Sequence, residues 1–564
     1  MASHNARYVI SFNGEIYNHS EMKERLEGEK GLIGWNGYSD TEIFLEYIAH
    51  FGVAEALSKA NGMFAFCLWD RDRQELLMAR DRYGQKPLYY YRADDVVLAS
   101  SDIDTIPLLK KFEKKIKETS FNDYLSYGYI SSPSTIYENI FQVEPGYCVV
   151  LSVKEKIYFK KNFLFFTHNS AFNVPKSQSQ DDEYYISKID DLLTSAVNSH
   201  MIADVPVGVF LSGGIDSGLI AIKAASVKGA DLQTFTVAFP GASFDEAPVA
   251  RQVAAAIGSR HHEIEIDDSS VVATFDQIPD IWTEPFADPS QLAACILSQR
   301  ARDYVTVALC GDGGDEFFWG YRKYNIAKRI LSITKILSPN HRRICASGLD
   351  LVGACAAAAR FRSAQRQLST LSNWIDYTNL DALCSNLDRS NGSKVLLTAT
   401  SGRPDLLSGR CNLSEIPNYD QRYYLPDGLM TKSDRSAMAF SLEVRSPFLD
   451  NEVTSFSASL PSRLTFEAPE SKKLLRDLGR RLLPSGIAGR PKTGFSVPIR
   501  YWITGPLKER SEYYLSPKAI KQIPFIDGAR VETLLESWRR GNSALDRLIW
   551  NILILSYWNL SRTT

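Results

Sequence analysis

A short run of glycine and hydroxyl-bearing residues, SGGIDS at 212–217, has the composition of a phosphate-binding turn. It lies between an apolar, strand-favouring run at 207–211 and a helix-permissive run at 219–225, so the turn falls where a strand becomes a helix. Gly213 and Gly214 carry no Cβ, which lets the backbone approach a ligand closely. Unpaired amides at the start of the helix supply donors and the positive end of its dipole. The run therefore predicts an anion site.

The polar side chains of this turn add donors and a metal ligand. Ser212 and Ser217 would donate hydroxyl hydrogen bonds to a phosphate, and Asp216 would hold a magnesium ion that bridges to it. A glycine-rich turn in which Ser217 or Asp216 only caps a helix is the alternative interpretation. The run lacks the lysine of the Walker motif and the spacing of the dinucleotide motif GxGxxG, so it predicts a phosphate site of neither kind.

A second glycine-rich run, CGDGGDE at 310–316, follows the apolar stretch 304–309. Because the carboxyl ends of parallel strands meet at one edge of a sheet, we expect the two runs to lie together. The glycines would admit a nucleotide, and Asp312 and Asp315 carry the carboxylates that suit magnesium. An acidic surface loop or a calcium-type turn is the alternative.

The elements that would position both runs follow from an alternation of patterns after residue 183. Helical patterns occupy 184–201, 219–228 and 247–257, and strand patterns occupy 205–211, 232–239 and 262–266. This order predicts an α/β domain with a doubly wound parallel sheet and a ligand beyond the carboxyl ends of its strands. Beyond about 326 the pattern is mainly helical, and 330–413 receives no assignment.

The first part of the chain is strand-rich and predicts an α+β domain. Its strand-favouring runs are 8–12, 63–69, 75–79, 88–91 and 96–99, and its helical runs are 42–50 and 122–127. The polar stretch 166–182 lacks apolar periodicity and is interpreted as a linker. We therefore expect one domain at 1–165 and a second at 183–564.

Composition narrows the class of protein. At 564 residues the chain is too long for one core, and a prior of about 150 residues per domain gives two to four domains. A net charge of -2 gives no basic footprint for nucleic acid, and the eight cysteines form no CxxC pair that would suggest zinc or a disulfide framework. No apolar stretch approaches the ~20 residues that span a membrane. A cytoplasmic protein is expected, without nucleic-acid or membrane partners and with a homodimer left open.

The run SGGIDS resembles the PP-loop of ATP pyrophosphatases, which cleave ATP between its α and β phosphates. Together with further motifs from Ser11 to about Trp502, the chain resembles the asparagine synthetase family of glutamine-dependent ATP amidotransferases. The resemblance implies Mg²⁺ at Asp216 and Asp315. The ATP contacts that it implies are Leu211, Ser212, Gly213, Gly214, Asp216, Ser217, Val237, Cys310 and Gly311. Local composition explains Leu211 and Val237 equally well as core residues.

The resemblance also implies three catalytic residues. Asp312 stands where many relatives carry a glutamate that transfers a proton on the attacking amine, and its arm is one carbon shorter. Glu443, organised by Arg445, would assist proton removal, although the run 442–450 also suits a salt-bridged helix-to-loop junction. Lys492, on the stiff run RPKTGF, would neutralise the adenylate and the departing pyrophosphate. The run EPFADP at 284–289 lies near the substrate pocket in the family, and a rigid acidic turn explains it as well.

In the first domain, the runs SFNGEIYN at 11–18 and SDTE at 39–42 resemble the glutamine-binding parts of class II glutaminase domains. There Asn13 and Gly14 would form an oxyanion hole, with Glu15 beside them, and Asp40 would hold the glutamine ammonium. Asn-Gly is also a common hairpin turn. The domain is expected to have the sandwich of N-terminal-nucleophile enzymes.

The chain departs from the family at its start, since it begins Met-Ala-Ser-His and its first cysteine is Cys67, within a predicted strand. Ser3 would serve as a nucleophile only after loss of two residues. A late start codon or a shortened, ammonia-using relative would explain this. We expect an incomplete sandwich, an exposed apolar face and no glutaminase activity.

The predicted reaction is ATP-dependent amidation of a carboxylate, most simply of aspartate through β-aspartyl-AMP, with release of AMP and pyrophosphate. A sugar uronic acid or another carboxylic acid is the alternative acceptor. A further alternative is an inactive relative. The intact residues that are predicted to bind magnesium and phosphate argue against it. Transfer-RNA-modifying PP-loop enzymes are disfavoured, because no basic groove or cysteine pair is present.

Overall fold

The structure is a computed structural model that describes residues 1–31, 34–93, 96–108, 112, 114–152, 158–165, 181–334, 337, 339–358, 371–372, 415–490 and 497–563. The strands are β1 Tyr8–Ile16, β2 Gly62–Asp70, β3 Glu75–Arg80, β4 Tyr89–Arg92, β5 Val97–Ser100, β6 Ile140–Gln142, β7 Tyr147–Ser152, β8 Tyr158–Leu164, β9 Val207–Phe210, β10 Gln233–Ala238, β11 Arg260–Glu265, β12 Val307–Leu309 and β13 Glu443–Arg445.

The described α-helices fall into two sets. The first part of the chain contains α1 His19–Lys30, α2 Asp40–Phe51, α3 Val53–Lys59 and α4 Glu118–Tyr127. The rest contains α5 Asp182–His200, α6 Ile215–Lys228, α7 Ala247–Ile257, α8 Asp268–Asp276, α9 Ile278–Ile281, α10 Gln291–Ala301, α11 Gly314–Phe317, α12 Arg322–Thr334, α13 Pro339–Ala358, α14 Ile416–Tyr419, α15 Thr431–Met438, α16 Asn451–Ser459, α17 Lys473–Leu482, α18 Ile499–Thr504, α19 Lys508–Tyr514, α20 Pro517–Ile520, α21 Gly528–Arg539 and α22 Asp546–Thr563. A π-helical segment, Asp420–Met430, joins α14 to α15.

The first part of the chain forms two antiparallel sheets, with strand orders β1-β2-β3-β7-β8 and β5-β4-β6. Apolar side chains on one face of β1 and β2 pack under α2, as the alternation of buried residues in these strands requires. The side chains of Ile10, Phe64 and Phe66 are at most 3% exposed. The exposed apolar face that we expected is therefore not present on these strands.

The second part contains a parallel five-stranded sheet with strand order β11-β10-β9-β12-β13. The chain runs outward from β9 to β11 on one side and from β12 to β13 on the other, so the order reverses between β9 and β12. Ligands of such sheets bind beyond the carboxyl ends of the strands at this point. The predicted α/β doubly wound sheet, preceded by an α+β sandwich-type domain and followed by helices, is confirmed.

Several predicted boundaries are wrong in detail. The strand predicted at 304–309 begins only at Val307, because Tyr304 is half exposed and packs on the ring of His262. The helix predicted from 219 begins at Ile215. The run at 442–450 is not a helix-to-loop junction, since Glu443–Arg445 pairs with β12 as a fifth parallel strand.

The two parts of the chain share a hydrophobic core, in which α4 packs against the last helix, α22. Phe121 and Tyr124 lie in that core with Trp550, and the Tyr124 hydroxyl donates to the carbonyl of Asn551 at 2.8 Å. The predicted linker lies almost wholly outside the described residues, as does most of 330–413. Among the residues that the structure describes, no helix combines the length and the apolar character that crossing a membrane requires.

Candidate active site

A cavity of about 500 Å³ opens at the point where the strand order of the parallel sheet reverses. The turn after β9 and the turn after β12 form its floor. The cavity wall contains every predicted ATP and magnesium residue and also Asp312: Leu211, Ser212, Gly213, Gly214, Asp216, Ser217, Val237, Cys310, Gly311, Asp312 and Asp315. The two glycine-rich runs therefore meet as the sequence predicted.

The first turn is held by its own hydroxyl groups. The Ser217 hydroxyl accepts a hydrogen bond from the Ser212 backbone amide at 3.1 Å, and the Ser212 hydroxyl accepts one from the Gly214 amide at 3.1 Å. The two hydroxyl oxygens are 2.9 Å apart. Because α6 begins at Ile215, its first-turn amides have no carbonyl four residues earlier and face the cavity end of the sheet.

The predicted metal ligands Asp216 and Asp315 come from different loops and contact the same ammonium group. The Lys472 Nζ donates to Asp216 Oδ2 and lies 2.6 Å from Asp315 Oδ1. All three side chains are at most 15% exposed. A positive charge thus already bridges the two carboxylates.

Three glycines make this close approach possible. A Cβ on Gly311 would lie 2.8 Å from the Ser217 backbone nitrogen, and one on Gly314 would lie 2.8 Å from the Asp216 carboxylate. A Cβ on Gly320 would lie 1.8 Å from Asp315 Oδ1 and 2.2 Å from the Cε of Lys472. These distances are shorter than any real contact, so the two loops close on one another only with glycine at these positions.

The pair of carboxylates fits a divalent cation. Asp216 Oδ1 is buried and accepts no hydrogen bond from the described part of the chain. Mg²⁺ prefers oxygen ligands and is usually held by one or two carboxylates together with substrate phosphates. No group of three acidic, histidine or cysteine side chains that would hold a metal without substrate occurs among the described residues. The site therefore suits Mg²⁺ that arrives with a nucleotide.

The apolar end of the cavity lies beyond β10. Val237 and Phe235, from that strand, line it with Phe239 and Phe244. The rings of Phe239 and Phe244 pack edge to face with centroids 5.4 Å apart. Apolar and aromatic surfaces of this kind suit a planar base.

A polar part of the cavity wall contains Asp312 and the first turn of α15. The Ser433 hydroxyl donates to Asp312 Oδ2 at 3.0 Å, and the Lys432 ammonium donates to Asp288 Oδ2 at 3.2 Å. Asp288 thus joins the cavity from the run 284–289, whose role sequence reasoning did not assign. Burial of Glu284 in the same run raises the pKa of that carboxyl to about 7.

Of the other two predicted catalytic residues, one is not on the described cavity wall and the other lies outside the described residues. Glu443 accepts a hydrogen bond from Arg445 at 2.7 Å and is not on the wall. Arg445 also donates to the carbonyls of His200 and Ile202 at 2.9 and 2.7 Å. The remaining residue, Lys492, lies outside the described residues.

The predicted glutamine-binding residues are gathered on β1 and at the start of α2. Asn13, Gly14 and Glu15 are consecutive in β1, and Asp40 Oδ2 accepts the Ile16 amide at 2.7 Å. The Asn-Gly pair is not a hairpin turn, because it lies inside a strand. A Cβ on Gly14 would lie 2.0 Å from the Met63 carbonyl oxygen, and its φ is +145°.

Glu15 links this cluster to the second sheet. Its carboxylate lies 3.5 Å from the Arg445 guanidinium, beside β13. Burial raises the pKa of Glu15 to about 7, and Arg445 partly opposes that rise. Cys67 offers no thiolate, since burial in β2 raises the pKa of its thiol to about 12.

Sequence reasoning missed Lys472, Lys432 and Arg476 as cavity residues. Arg476 donates to the carbonyls of Ala488 and Arg490 at 2.6 and 3.1 Å and so holds the segment that precedes Lys492. The run KKLLR at 472–476 places a lysine and an arginine four residues apart, but it does not predict the left-handed backbone of Lys472, at φ +55°, or the contact of its ammonium with the two aspartates.

Comparison with known proteins assigns the family. A model described as asparagine synthase matches residues 188–560, and one described as a glutamine amidotransferase domain matches residues 1–163. Over 574 residues the chain is 30% identical to "Asparagine synthetase [glutamine-hydrolyzing] 1" of Bacillus subtilis, covering 98% of this chain and 85% of the relative. The chain belongs to the asparagine synthase family.

Other members of the asparagine synthase family match at similar length. A putative glutamine-hydrolysing asparagine synthetase of Mycobacterium tuberculosis is 29% identical over 570 residues, which cover 98% of this chain and 84% of that protein. "Amidase chry2" of Gibberella zeae is 24% identical over 555 residues, which cover 91% and 80%. The predicted family and the predicted class, an ATP-using carbon–nitrogen ligase of the asparagine synthetase type, are confirmed.

Proposed function

We propose that the protein amidates the β-carboxylate of aspartate at the expense of ATP, with Mg²⁺, through an acyl-adenylate. One observation carries the proposal: Asp216 and Asp315, from the turns after β9 and β12, meet on one ammonium at the edge of a cavity of about 500 Å³. The carboxylates, the hydroxyl-bearing turn and the start of α6 suit a triphosphate, and the surface beside β10 suits its base.

In the first step, adenylation of the acceptor carboxylate, one bond forms and one bond breaks. An oxygen of the acceptor carboxylate forms a bond to the α-phosphorus, the bond from that phosphorus to the bridging oxygen breaks, and pyrophosphate leaves. The turn from Ser212 to Ser217 holds the β and γ phosphates. Asp216 and Asp315 would hold Mg²⁺, which would neutralise phosphate charge when bound. The Lys472 ammonium, which now contacts both carboxylates, would then pair with a phosphate.

Amide formation follows at the same carbon. Ammonia attacks the carbonyl carbon of the adenylate and loses a proton, and the carbon–oxygen bond to AMP breaks. Asp312 lies on the cavity wall with one oxygen on the Ser433 hydroxyl, so its other oxygen is able to take that proton. Lys492 and Glu443 are retained in the proposal as charge-stabilising and proton-transfer residues by resemblance alone.

The arrangement also supports assigning Asn13, Gly14, Glu15 and Asp40 to glutamine binding, since β1 and α2 bring them together. The nitrogen that reaches the adenylate is ammonia, whether it is released from glutamine or taken from solution. We place the reaction in the cytoplasm, with a homodimer as the proposed assembly.

The test is a complete reaction followed by mass spectrometry. The protein is incubated with ATP, Mg²⁺, aspartate and either ¹⁵N-ammonium or amide-¹⁵N-glutamine. When ammonium is the nitrogen source, we expect AMP, pyrophosphate and ¹⁵N-asparagine to form in equal amounts. The reaction with labelled glutamine shows whether this chain hydrolyses glutamine. Formation of ADP in place of AMP, or no nucleotide cleavage with any carboxylic acid, would refute the proposed chemistry.

A further inference from the structure

The first domain presents Lys86 to the second domain from a turn that is held at several points. This turn, residues 81–86, follows β3 directly. The Asp81 carboxylate is 0% exposed and accepts three backbone amides of the turn at 3.0–3.2 Å, that of Lys86 among them. The Arg80 guanidinium donates to the carbonyls of Gly84 and Lys86 at 2.8 and 2.7 Å. These hydrogen bonds fix the position of the Lys86 backbone.

The side chain of Lys86 forms a buried ion pair with the other domain. Its ammonium donates to Asp434 Oδ1 at 3.0 Å, and the two side chains are 4% and 11% exposed. Burial alone would lower the pKa of Lys86, but the carboxylates of Asp434 and Glu443 outweigh burial and raise that pKa above its ordinary value. The ammonium is therefore charged, and the pair is shielded from water, where attraction between charges is stronger than at the surface.

Asp434 lies on α15 directly after two residues of the cavity wall. The Lys432 ammonium donates to Asp288 Oδ2 at 3.2 Å, and the Ser433 hydroxyl donates to Asp312 Oδ2 at 3.0 Å. Consecutive residues of an α-helix point about 100° apart, so these side chains leave the helix in different directions. A shift or rotation of α15 would consequently move its two cavity contacts and its domain contact together.

The next residue of α15, Arg435, makes a second contact with the first domain. It donates to the Ser101 carbonyl at 3.1 Å and lies 3.5 Å from Asp102. The Asp102 side chain is 43% exposed, whereas Lys86 is 4% exposed. Because solvent screens an exposed ion pair, Lys86 is the stronger anchor of the helix.

We propose that Lys86 is a positioning residue for amidation: through Asp434 it holds α15 so that Ser433 orients the Asp312 carboxylate toward the adenylate. The inference rests on the proposed function and goes beyond it, because it makes the first domain necessary even when ammonia replaces glutamine. Lys86 is not on the cavity wall, so its effect on the reaction passes through the helix.

The first test compares wild type with Lys86→Met in ATP, Mg²⁺, aspartate and saturating ammonium, without glutamine. We expect kcat for asparagine formation to fall about 100-fold, the scale of a misplacement of about 1 Å at a reacting group. The dissociation constant of ATP with Mg²⁺ should stay unchanged, since the turns after β9 and β12 form the proposed phosphate site. Lys86→Arg, which keeps a cation opposite Asp434, should recover most of the lost rate.

The stoichiometry of ATP binding separates positioning from support of the fold. Titration calorimetry counts the folded molecules that bind the nucleotide. We expect Lys86→Met to keep the stoichiometry of the wild type, so that the lower rate belongs to every molecule. A fall in kcat matched by an equal fall in stoichiometry would show that Lys86 only supports folding and would refute the positioning role.

A double-mutant cycle tests whether the effect passes through Asp434. Asp434→Asn should lower kcat as Lys86→Met does, and the variant with both changes should lose no more than the worse single variant. Losses that multiply would mean that the two residues act independently. Lys223→Met is the matched control, because this lysine is 11% exposed and pairs with Asp190 at 2.5 Å on α5 and α6, away from α15. Its kcat should equal that of the wild type.

The same assays separate this inference from the proposed function. If wild type and Lys86→Met form asparagine at the same rate, the positioning role is refuted and carboxylate amidation stands. If the wild type releases no pyrophosphate with any carboxylic acid, the proposed function fails and this inference fails with it. Should Lys86→Met not fold, kcat and binding stoichiometry of Asp434→Asn decide by the same criteria.

Discussion

The cavity proposed for the nucleotide and the cluster proposed for glutamine, which contains Asn13, Gly14, Glu15 and Asp40, differ in how their charges are satisfied. In the cavity, Asp216 and Asp315 share the Lys472 ammonium, and Asp216 Oδ1 is buried without a hydrogen bond from the described residues. In the cluster, Asp40 accepts the Ile16 amide and Glu15 faces Arg445, so these carboxylates have partners within the protein. A buried oxygen without a donor points to a ligand, whereas carboxylates whose contacts all lie within the protein are explained by structure alone.

Helix α15, Thr431–Met438, connects the cavity to the first domain. Lys432 and Ser433 lie on the cavity wall, while Asp434 contacts the Lys86 ammonium at 3.0 Å and Arg435 lies 3.5 Å from Asp102, both in the first domain. One short helix thus carries binding groups on one side and domain contacts on the other. Changes in the cavity should therefore remove ligand binding, and changes at the domain contact should alter stability.

Gly311→Ala tests whether the two cavity turns must approach closely. The new Cβ would lie 2.8 Å from the Ser217 backbone nitrogen and 3.0 Å from the Asp216 Cβ, so the two turns must separate. We expect ATP binding with Mg²⁺, measured by calorimetry, to weaken at least about 100-fold, since a shift of about 1 Å at such a site has that scale. Gly28→Ala, where nothing lies within 4 Å of the added carbon, is the control. Unchanged binding in Gly311→Ala would show that the turns need not touch.

Lys472→Met separates the roles of ammonium and metal. With the lysine removed, Asp216 and Asp315 lose a competing cation, so Mg²⁺ alone should bind about 10-fold more tightly. ATP should bind about 10-fold more weakly, because a charge partner of the phosphates is gone. Titration calorimetry measures both. Lys473→Met, whose ammonium pairs with Asp477 at 2.7 Å, should change neither. A fall in both affinities would mean that Lys472 only supports the fold.

Glu284→Gln tests how the contact between the two domains, here Glu284 with Ile136, affects stability as the pH changes. The Glu284 carboxylate accepts the Ile136 amide at 3.0 Å across that contact, and burial raises its pKa from 4.5 to about 7. Between these values the folded state holds a proton that the unfolded state has lost, so wild-type stability falls as pH rises through that window. The variant should gain roughly 3 kcal/mol at pH 8 and nothing at pH 4.

Thermal melting at the two pH values measures this difference. Glu536→Gln, an exposed glutamate paired with Arg540, should melt like the wild type at both. An equal gain for Glu284→Gln at pH 4 and pH 8 would show that ionisation of this carboxyl is not involved.

Cys67 gives the smallest expected effect. Because burial raises the pKa of its thiol to about 12, the reactive thiolate is almost absent at pH 8. Iodoacetamide should label the exposed Cys345 and leave Cys67 unmodified, as read by peptide mass spectrometry. Rapid labelling of Cys67 in folded protein would make this residue a candidate nucleophile of the first domain.

The local parts of the cavity could be predicted from sequence, because strand, glycine turn and helix follow one another within a few residues. The positions of Ser212, Asp216 and Asp315 on one cavity wall follow from sequence in this way. The parts set by distant contacts could not. Glu443–Arg445 is too short and too charged to predict a strand, and it becomes one only because the edge of β12 is available to it.

Lys472 was missed for a related reason. Lysine is common on surfaces, and nothing local shows that its backbone is left-handed or that Gly320 leaves room for its side chain. The expectation of an exposed apolar face was wrong because a cover formed by distant residues was not foreseen. The pattern of β1 was recognised, but the cover that α2 provides depends on how the helix folds back over the sheet.

Binding of ATP with Mg²⁺ to Asp216→Asn tests the central claim most directly. An amide in place of this carboxylate removes a charged ligand while keeping the shape of the turn. We expect calorimetry to show binding by the wild type and by Asp231→Asn, an exposed aspartate in an ion pair with Arg260, and none by Asp216→Asn. Equal affinity in all three proteins would contradict the assignment of the two aspartates and of the cavity as the nucleotide site.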